Sequence, residues 1–322
     1  MKNINMVLIA ISFVLLFSSC EEEVFPKGEL YDTYIFSCVL DGNSDYQTAF
    51  ISRSYDVAGF DPYSNPIDPS IANARIRLIY DGALYEFKDS TIVNGSDDRY
   101  TGEKHFYYLD NFRPSANKEV NIEVELPDGT ILTSSSTTFP VKLTAGSFYR
   151  SDHQIPSENP TQSFLFFKWG DFSSNVYYVP KFTISYSQIV GDELIPKEVI
   201  VPQFIENDNP VYPGLMIGDN LMFSMNSVEY ALESIRETGI PDSNFVIHGA
   251  YYSVLLTDNE LATFYAAAKT FSDSYSVALI EPEYSNINGG LGILGSFIKY
   301  GFELEFEREF VEGFGYLYTY EH

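Results

Sequence analysis

Two cysteines, one tryptophan and four histidines in 322 residues leave little material for redox or transition-metal chemistry. His105, His153, His248 and His322 stand apart in the sequence, without His-x-x-x-His or Cys-His spacing, so a zinc, copper or iron site has no support. Basic residues are scarce as well: 19 Lys and Arg against 45 Asp and Glu, a formal charge of −26. A field of that sign repels nucleic acid and anionic lipid, which makes both poor partners. It attracts cations or basic surfaces, and it also keeps a surface protein soluble. No Gly-x-Ser-x-Gly elbow offers a hydrolase nucleophile, and no Gly-rich loop ending in Lys-Ser/Thr offers a phosphate cradle. The Asp41-x-Asn43-x-Asp45 and 94–98 clusters are oxygen-rich but lack the spacing and terminal glutamate of a calcium loop, and both read as turns. Cofactors are therefore expected to be none, as are catalytic and metal-ligating residues.

Long apolar runs are missing too, apart from one at the start. Residues 6–17 are apolar apart from Ser12, preceded by Lys2 as the single charge and followed by Ser18, Ser19 and Cys20. As a helix the run would reach about 18 Å at ~1.5 Å per residue, whereas a bilayer core needs about 30 Å. The layout is that of a secretory signal peptide. A cysteine directly after the small residues resembles a bacterial lipoprotein signal, in which the thiol receives a diacylglycerol. Phe17 stands where such signals prefer Leu, with Leu16 one place off. An ordinary cleaved leader with an incidental cysteine is the other reading. The expected division is a signal peptide over 1–19, a lipidated tether over 20–32, a β-sandwich over 33–143 and a mostly-β domain over 144–322. Cys38, in an apolar strand-like stretch, reads as a buried and inert thiol.

What is plentiful is aromatic: 25 Tyr and 26 Phe, with 45% apolar residues overall. That composition excludes disorder and favours strands. Strands are predicted at 33–40 and 47–55. A hairpin is predicted over 72–87, turning at Asp81-Gly82, and another over 119–138, turning at Pro127-Asp128-Gly129-Thr130. Several short strands with turns between them indicate a sandwich. Residues 143–160, rich in Gly, Ser, Asp and Pro, read as a junction. Strands follow at 164–169 and 177–190. Two short helices are predicted over 228–237 and 258–269, from capping boxes Asn226/Glu229 and Thr257/Glu260. An amphipathic strand with a glutamate row is predicted over 302–310.

The segment 277–297, VALIEPEYSNINGGLGILGSF, carries a resemblance. Its Pro-Glu-Tyr-Ser-Asn-Ile-Asn-Gly-Gly-Leu-Gly-Ile pattern resembles the Bacteroidota lipoprotein family called domain of unknown function 4249. Ile51-Ser52-Arg53-Ser54, Ala74-Arg75-Ile76 and the Asp128-Gly129 hairpin ending in Thr137-Thr138-Phe139-Pro140 fit the same family in order, over roughly residues 21–298. The resemblance implies an N-terminal immunoglobulin- or transthyretin-like sandwich, a mostly-β C-terminal domain and association with TonB-dependent outer-membrane transport. It implies no catalytic residues. Three acids after Cys20 resemble the signal that sends such lipoproteins to the cell surface, and a solvated acidic linker would have the same charge. Asp89-Ser90-Thr91 resembles a short O-glycosylation site of these bacteria.

The expected function is thus a non-enzymatic binding or accessory module, lipid-anchored through Cys20 at the outer membrane and exposed at the cell surface. Its expected partners are the membrane and an outer-membrane transporter protein. The alternatives are a structural or adhesive surface component, or an extracellular hydrolase. The candidate partner-contact segment is Asn286, Gly289, Gly290, Leu291 and Gly292, together with the loop 56–70. Glycines there permit positive φ or close backbone approach, which reads first as a tight turn packed against the sheet and alternatively as a backbone surface offered to a ligand or partner.

Overall fold

Strict alternation of buried and exposed side chains sets the architecture from the first strand. In β1 (Tyr34–Asp41) Phe36, Cys38 and Leu40 face inward, and in β2 (Gln47–Arg53) Gln47, Ala49 and Ile51 do. The computed structural model describes residues 33–55, 61, 64–95, 99–141, 148–150, 154–156, 163–169, 177–270 and 284–319. The leader, the tether with Cys20, part of the loop 56–70 and most of the junction 143–160 lie outside them.

β3 (Arg75–Tyr80) and β4 (Ala83–Glu86) form the expected hairpin, with Asp81 and Gly82 at φ 50° and 80°, as a type I′ turn needs. β5 (Lys88–Val93) and β6 (Glu103–Leu109) follow, then β7 (Glu119–Glu125) and β8 (Ile131–Thr137), the second expected hairpin. These strands make two layers. One is a four-stranded sheet in the order β4-β3-β7-β8; the other is one end of a larger sheet, where β1, β2, β6 and β5 lie side by side. A single buried cluster that includes Phe36, Leu40, Ile76, Leu78, Tyr107, Ile122 and Val124 draws on both.

The rest of the chain supplies β9 (Phe148–Arg150), β10 (Gln154–Ile155), β11 (Phe164–Trp169), β12 (Tyr177–Val190), β13 (Glu193–Ile200), β14 (Phe204–Glu206), β15 (Asn209–Val211), β16 (Asn220–Ser224), β17 (Phe245–Thr257), β18 (Leu291–Phe306) and β19 (Leu317–Tyr318). A second buried cluster forms between β12, β17 and β18 on one side and β11 and β16 on the other. It is aromatic: Phe167 stacks on Tyr252 with centroids 4.0 Å apart, and Trp169, Phe182 and Phe223 surround the pair. Filling a core with Tyr and Trp has a cost, since Trp169 Nε1 and the Tyr178 and Tyr252 hydroxyls are buried without a hydrogen-bond partner.

The two clusters share one sheet. Its main path among the described strands runs β13-β12-β17-β18-β1-β2-β6-β5, with β18 antiparallel to β17 and parallel to β1. From Thr33 onward the chain forms one compact unit.

Three α-helices are present among the described residues rather than two. α1 (Met225–Glu233) starts before its expected position, because Ser224, not Asn226, caps it by accepting the Ser227 N–H at 3.2 Å. α2 (Asn259–Thr270) is capped by Asp258, which accepts the Leu261 N–H at 2.8 Å, one residue after the expected Thr257. The predicted strand over 302–310 ends at Phe306, and α3 (Arg308–Gly313) follows. Phe310, Val311 and Phe314 recur at helical spacing and place Val311 in the core, which the glutamate alternation upstream concealed.

Candidate binding site

A cavity of about 440 Å³ opens at the end of the two-sheet region where β1 begins and β2 ends. Tyr34 and Arg53 come from those strands, Asn65 and Asp68 from the loop that follows β2, and Asp128 from the β7–β8 turn. Ile67, Pro69, Leu126 and Pro127 supply apolar wall. Of the loop 56–70 named from sequence, the described part from Asn65 on lines this cavity.

Local chemistry fixes each polar group. The Tyr34 hydroxyl donates to Asp128 Oδ2, tying the main sheet to the four-stranded one across 94 residues of sequence. That bond raises the Tyr34 phenol and holds the Asp128 carboxyl below its ordinary value, helped by the Thr130 N–H on Oδ1 at 2.9 Å. Asp68 accepts the Ser70 N–H at 2.9 Å and the Asn94 amide at 3.3 Å. Burial alone would raise the Asp68 carboxyl, but Ser70, Asn94 and the Lys104 charge together bring it below the usual range. Beside the cavity Arg99 donates to the Tyr55 hydroxyl at 2.6 Å and lies over the Tyr100 ring. Burial, then the bond to Tyr55, pushes the Tyr100 phenol up to about 12.

The glycine-rich segment lies behind this wall. Asn286 behaves like a strand residue: its side-chain amide donates to the Leu294 carbonyl at 2.7 Å and accepts the Leu294 N–H at 2.8 Å. Its own carbonyl accepts the Ser134 hydroxyl. Gly289, with positive φ, sits against Ile131 and Leu132 of β8, and Leu291 pairs with Ile35 of β1. A β-carbon on Gly290 would stand 2.7 Å from the Tyr34 carbonyl oxygen, and one on Gly292 would collide with the Phe36 backbone. Close approach is thus what these glycines permit, and it brings the start of β1 against β8 so that Tyr34 can reach Asp128. Cys20 and residues 277–283 lie outside the described residues.

Two polar clusters elsewhere were not legible in sequence. Asp258, almost fully buried, accepts hydroxyl protons from Ser296 (3.0 Å) and Ser136 (3.3 Å) as well as capping α2. Ser296 in turn accepts the Phe139 N–H at 2.9 Å. Burial raises the Asp258 carboxyl to about 6. Second, His248 is the extra residue of a β-bulge, since Ser185 pairs with Gly249 and Tyr186 with Ile247. Its Nε2 shares a hydrogen bond with Ser187 Oγ at 2.8 Å and its Nδ1 with Thr319 Oγ1 at 3.2 Å. Among the described residues a hydroxyl rather than a carboxylate faces Nδ1, and Ser187 is buried mid-strand. The Cys38 thiol is buried and pushed up to about 12 by that burial, which fits an inert core residue.

Fold and cavity together define a mainly-β protein with two cores on one sheet and a preformed polar-apolar pocket at one end. The family model for Domain of unknown function (DUF4249) matches residues 21–299, and the chain belongs to that family. A search of curated proteins gave no match.

Proposed function

We propose that the chain is a lipoprotein held by Cys20 at the surface of the outer membrane, where it acts as a non-enzymatic binding or accessory module beside a TonB-dependent transporter. The cavity at Tyr34, Arg53, Asp68 and Asp128 carries the binding half of this reading. Its size lies in the range of small-molecule sites, and its few polar groups are immobilised before any ligand arrives. The leader, its small residues and Cys20 support the anchoring half. Two or three acyl chains, at about 0.8 kcal/mol per buried CH₂, hold a protein on a bilayer essentially permanently. A tether over 20–32 spans at most about 45 Å, so the start of β1 stays within reach of an integral neighbour. In this reading the N-terminal layers are an immunoglobulin- or transthyretin-like sandwich presenting its ligand groups at one end.

The test is radiolabelled palmitate incorporation followed by affinity purification from gently solubilised membranes. The wild type is expected to carry label and to recover a membrane β-barrel protein, while Cys20→Ser loses the label and leaves the membrane fraction. Absence of label in the wild type would end the anchoring proposal. Recovery of no membrane protein would end the accessory one and bring the structural reading forward.

A further inference from the structure

A second cavity, of about 480 Å³, opens at the other end of the two-sheet region, where β1 ends and β2 begins. It lies between the β1–β2 turn, the loop joining β6 to β7 and the middle of β18, with Gly42, Arg113 and Tyr300 among its lining residues. Its charge is unlike that of the molecule. The chain carries 45 acids against 19 bases, yet the described lining holds Arg113 and no Asp or Glu.

Cations elsewhere are matched. Arg75 meets Glu86, Lys88 meets Asp110, Lys118 meets Asp81 and Lys181 meets Glu198 across 2.7–3.1 Å. Lys104 and Lys299 lie over the Phe50 and Tyr251 rings. The exposed Arg113 guanidinium has no hydrogen bond, ion pair or ring contact among the described residues. Its stem is nevertheless held in place. Phe112 before it is buried, donates its N–H to the Asp45 carbonyl at 3.0 Å and accepts the Gln47 amide at 3.2 Å. Two residues on, the Ser115 N–H donates to the Tyr80 hydroxyl at 2.6 Å. The guanidinium therefore stands at the cavity on a fixed backbone, with its donors open to solvent.

The wall is apolar: Pro114, Phe139 and Ile298 are buried and Tyr300 is half-buried. Asn43 is no competitor for a ligand, because its side chain donates to the Lys299 carbonyl at 2.8 Å and accepts the Lys299 N–H at 2.6 Å. A cation finds no carboxylate in the described lining. A polyanion meets a single guanidinium inside a strongly negative field. A wholly apolar molecule strips water from Arg113 and returns no hydrogen bond. A monocarboxylate on an aromatic body satisfies both surfaces, since the guanidinium fork binds two carboxylate oxygens in parallel and the ring packs on Phe139, Ile298 and Tyr300. We infer that this second cavity binds an arylalkyl monocarboxylate through Arg113. The site is separate from the cavity at Tyr34 and Asp128, so its test stands apart from those of the anchor and the accessory role.

Full-length protein carrying Cys20→Ser is titrated calorimetrically with phenylacetate, 3-phenylpropanoate and indole-3-acetate, with the primary amide of each, and with acetate. At least one aryl acid is expected to bind, tenfold or more tighter than its own amide and than acetate. Arg113→Gln is expected to weaken that acid tenfold or more and to erase its advantage over the amide. The side chain is exposed, and an unchanged circular dichroism spectrum and denaturation midpoint verify that the variant is folded. Failure of every aryl acid to bind overturns the inference, as does an acid that the folded variant holds as tightly as the wild type. Equal affinity for acid and amide overturns it too, because an uncharged head would then suffice. Acetate bound as tightly as the aryl acids would reduce the site to a surface anion contact and remove the ligand class.

Discussion

Ionising Asp258 costs the folded protein free energy, because the carboxylate sits almost out of water and its three hydrogen bonds only partly replace hydration. The folded-state value of about 6 lies above that of an ordinary aspartate, so the folded state binds this proton more tightly than the unfolded chain does. Stability from this residue is therefore greatest at low pH, falls as pH rises from about 4 to about 6, and stays low above that, a difference of roughly 3 kcal/mol. Asp258→Asn keeps an acceptor for the Leu261 N–H and removes the ionisation. Denaturant midpoints of wild type and variant, measured from pH 4.5 to pH 8, are expected to diverge in the variant's favour as pH rises. Parallel curves would show that the carboxylate is already neutral or well solvated. The same residue ties α2 to Ser136 of β8 and Ser296 of β18. No local pattern announces such a node, since its members are spread over 160 positions and two of them are serines of ordinary appearance.

Among the elements, β18 depends most on one residue type. Gly292 has φ +121° and touches the Phe36 backbone, so even a methyl group would force β18 away from β1. Gly292→Ala is expected to lower stability by more than ~3 kcal/mol, combining backbone strain with a clash that rigid neighbours cannot relieve. Gly313 at the end of α3 is the control: nothing lies within 4 Å, and Gly313→Ala should be neutral or stabilising by about 0.5–1 kcal/mol. Equal effects in chemical denaturation would remove the close-approach role of Gly292. The hairpins were legible because Asp81-Gly82 and Pro127-Asp128-Gly129 turn the chain between alternating strands only a few residues apart. β11 and β12 were legible from alternation and aromatic content alone, and their bounds match the expectation. The parallel pairing of β1 with β18 was not, because it joins residues some 256 apart and a strand's sequence does not name its neighbour. The cavity shares that difficulty. Its polar groups are ordinary turn residues, Asp68 and Asp128 among them, which become a site only when Tyr34 and Arg53 are brought between them.

Over the whole molecule, the shared sheet bears on whether the two cores unfold together. β18 contributes Leu294 to the cluster around β1 and β7, and Ile298, Leu304 and Phe306 to the aromatic one. The Asp258 node crosses the same boundary, and Phe139, which precedes the expected junction, is buried in the aromatic cluster. Losing either core would therefore expose apolar surface of the other and leave a long strand half paired. Such coupling yields a single transition, whereas two independent domains would melt separately. The chain carries its own reporters, because its one tryptophan, Trp169, lies in the aromatic cluster and Cys38 lies in the other. In a Cys20→Ser background, Trp169 fluorescence and pulsed thiol labelling of Cys38 are followed across a urea series. Coincident midpoints and slopes are expected from the sheet topology. A Cys38 transition displaced from that of Trp169 would mean that β18 can release one core while holding the other, and that the two halves behave as separate folding units despite their common sheet.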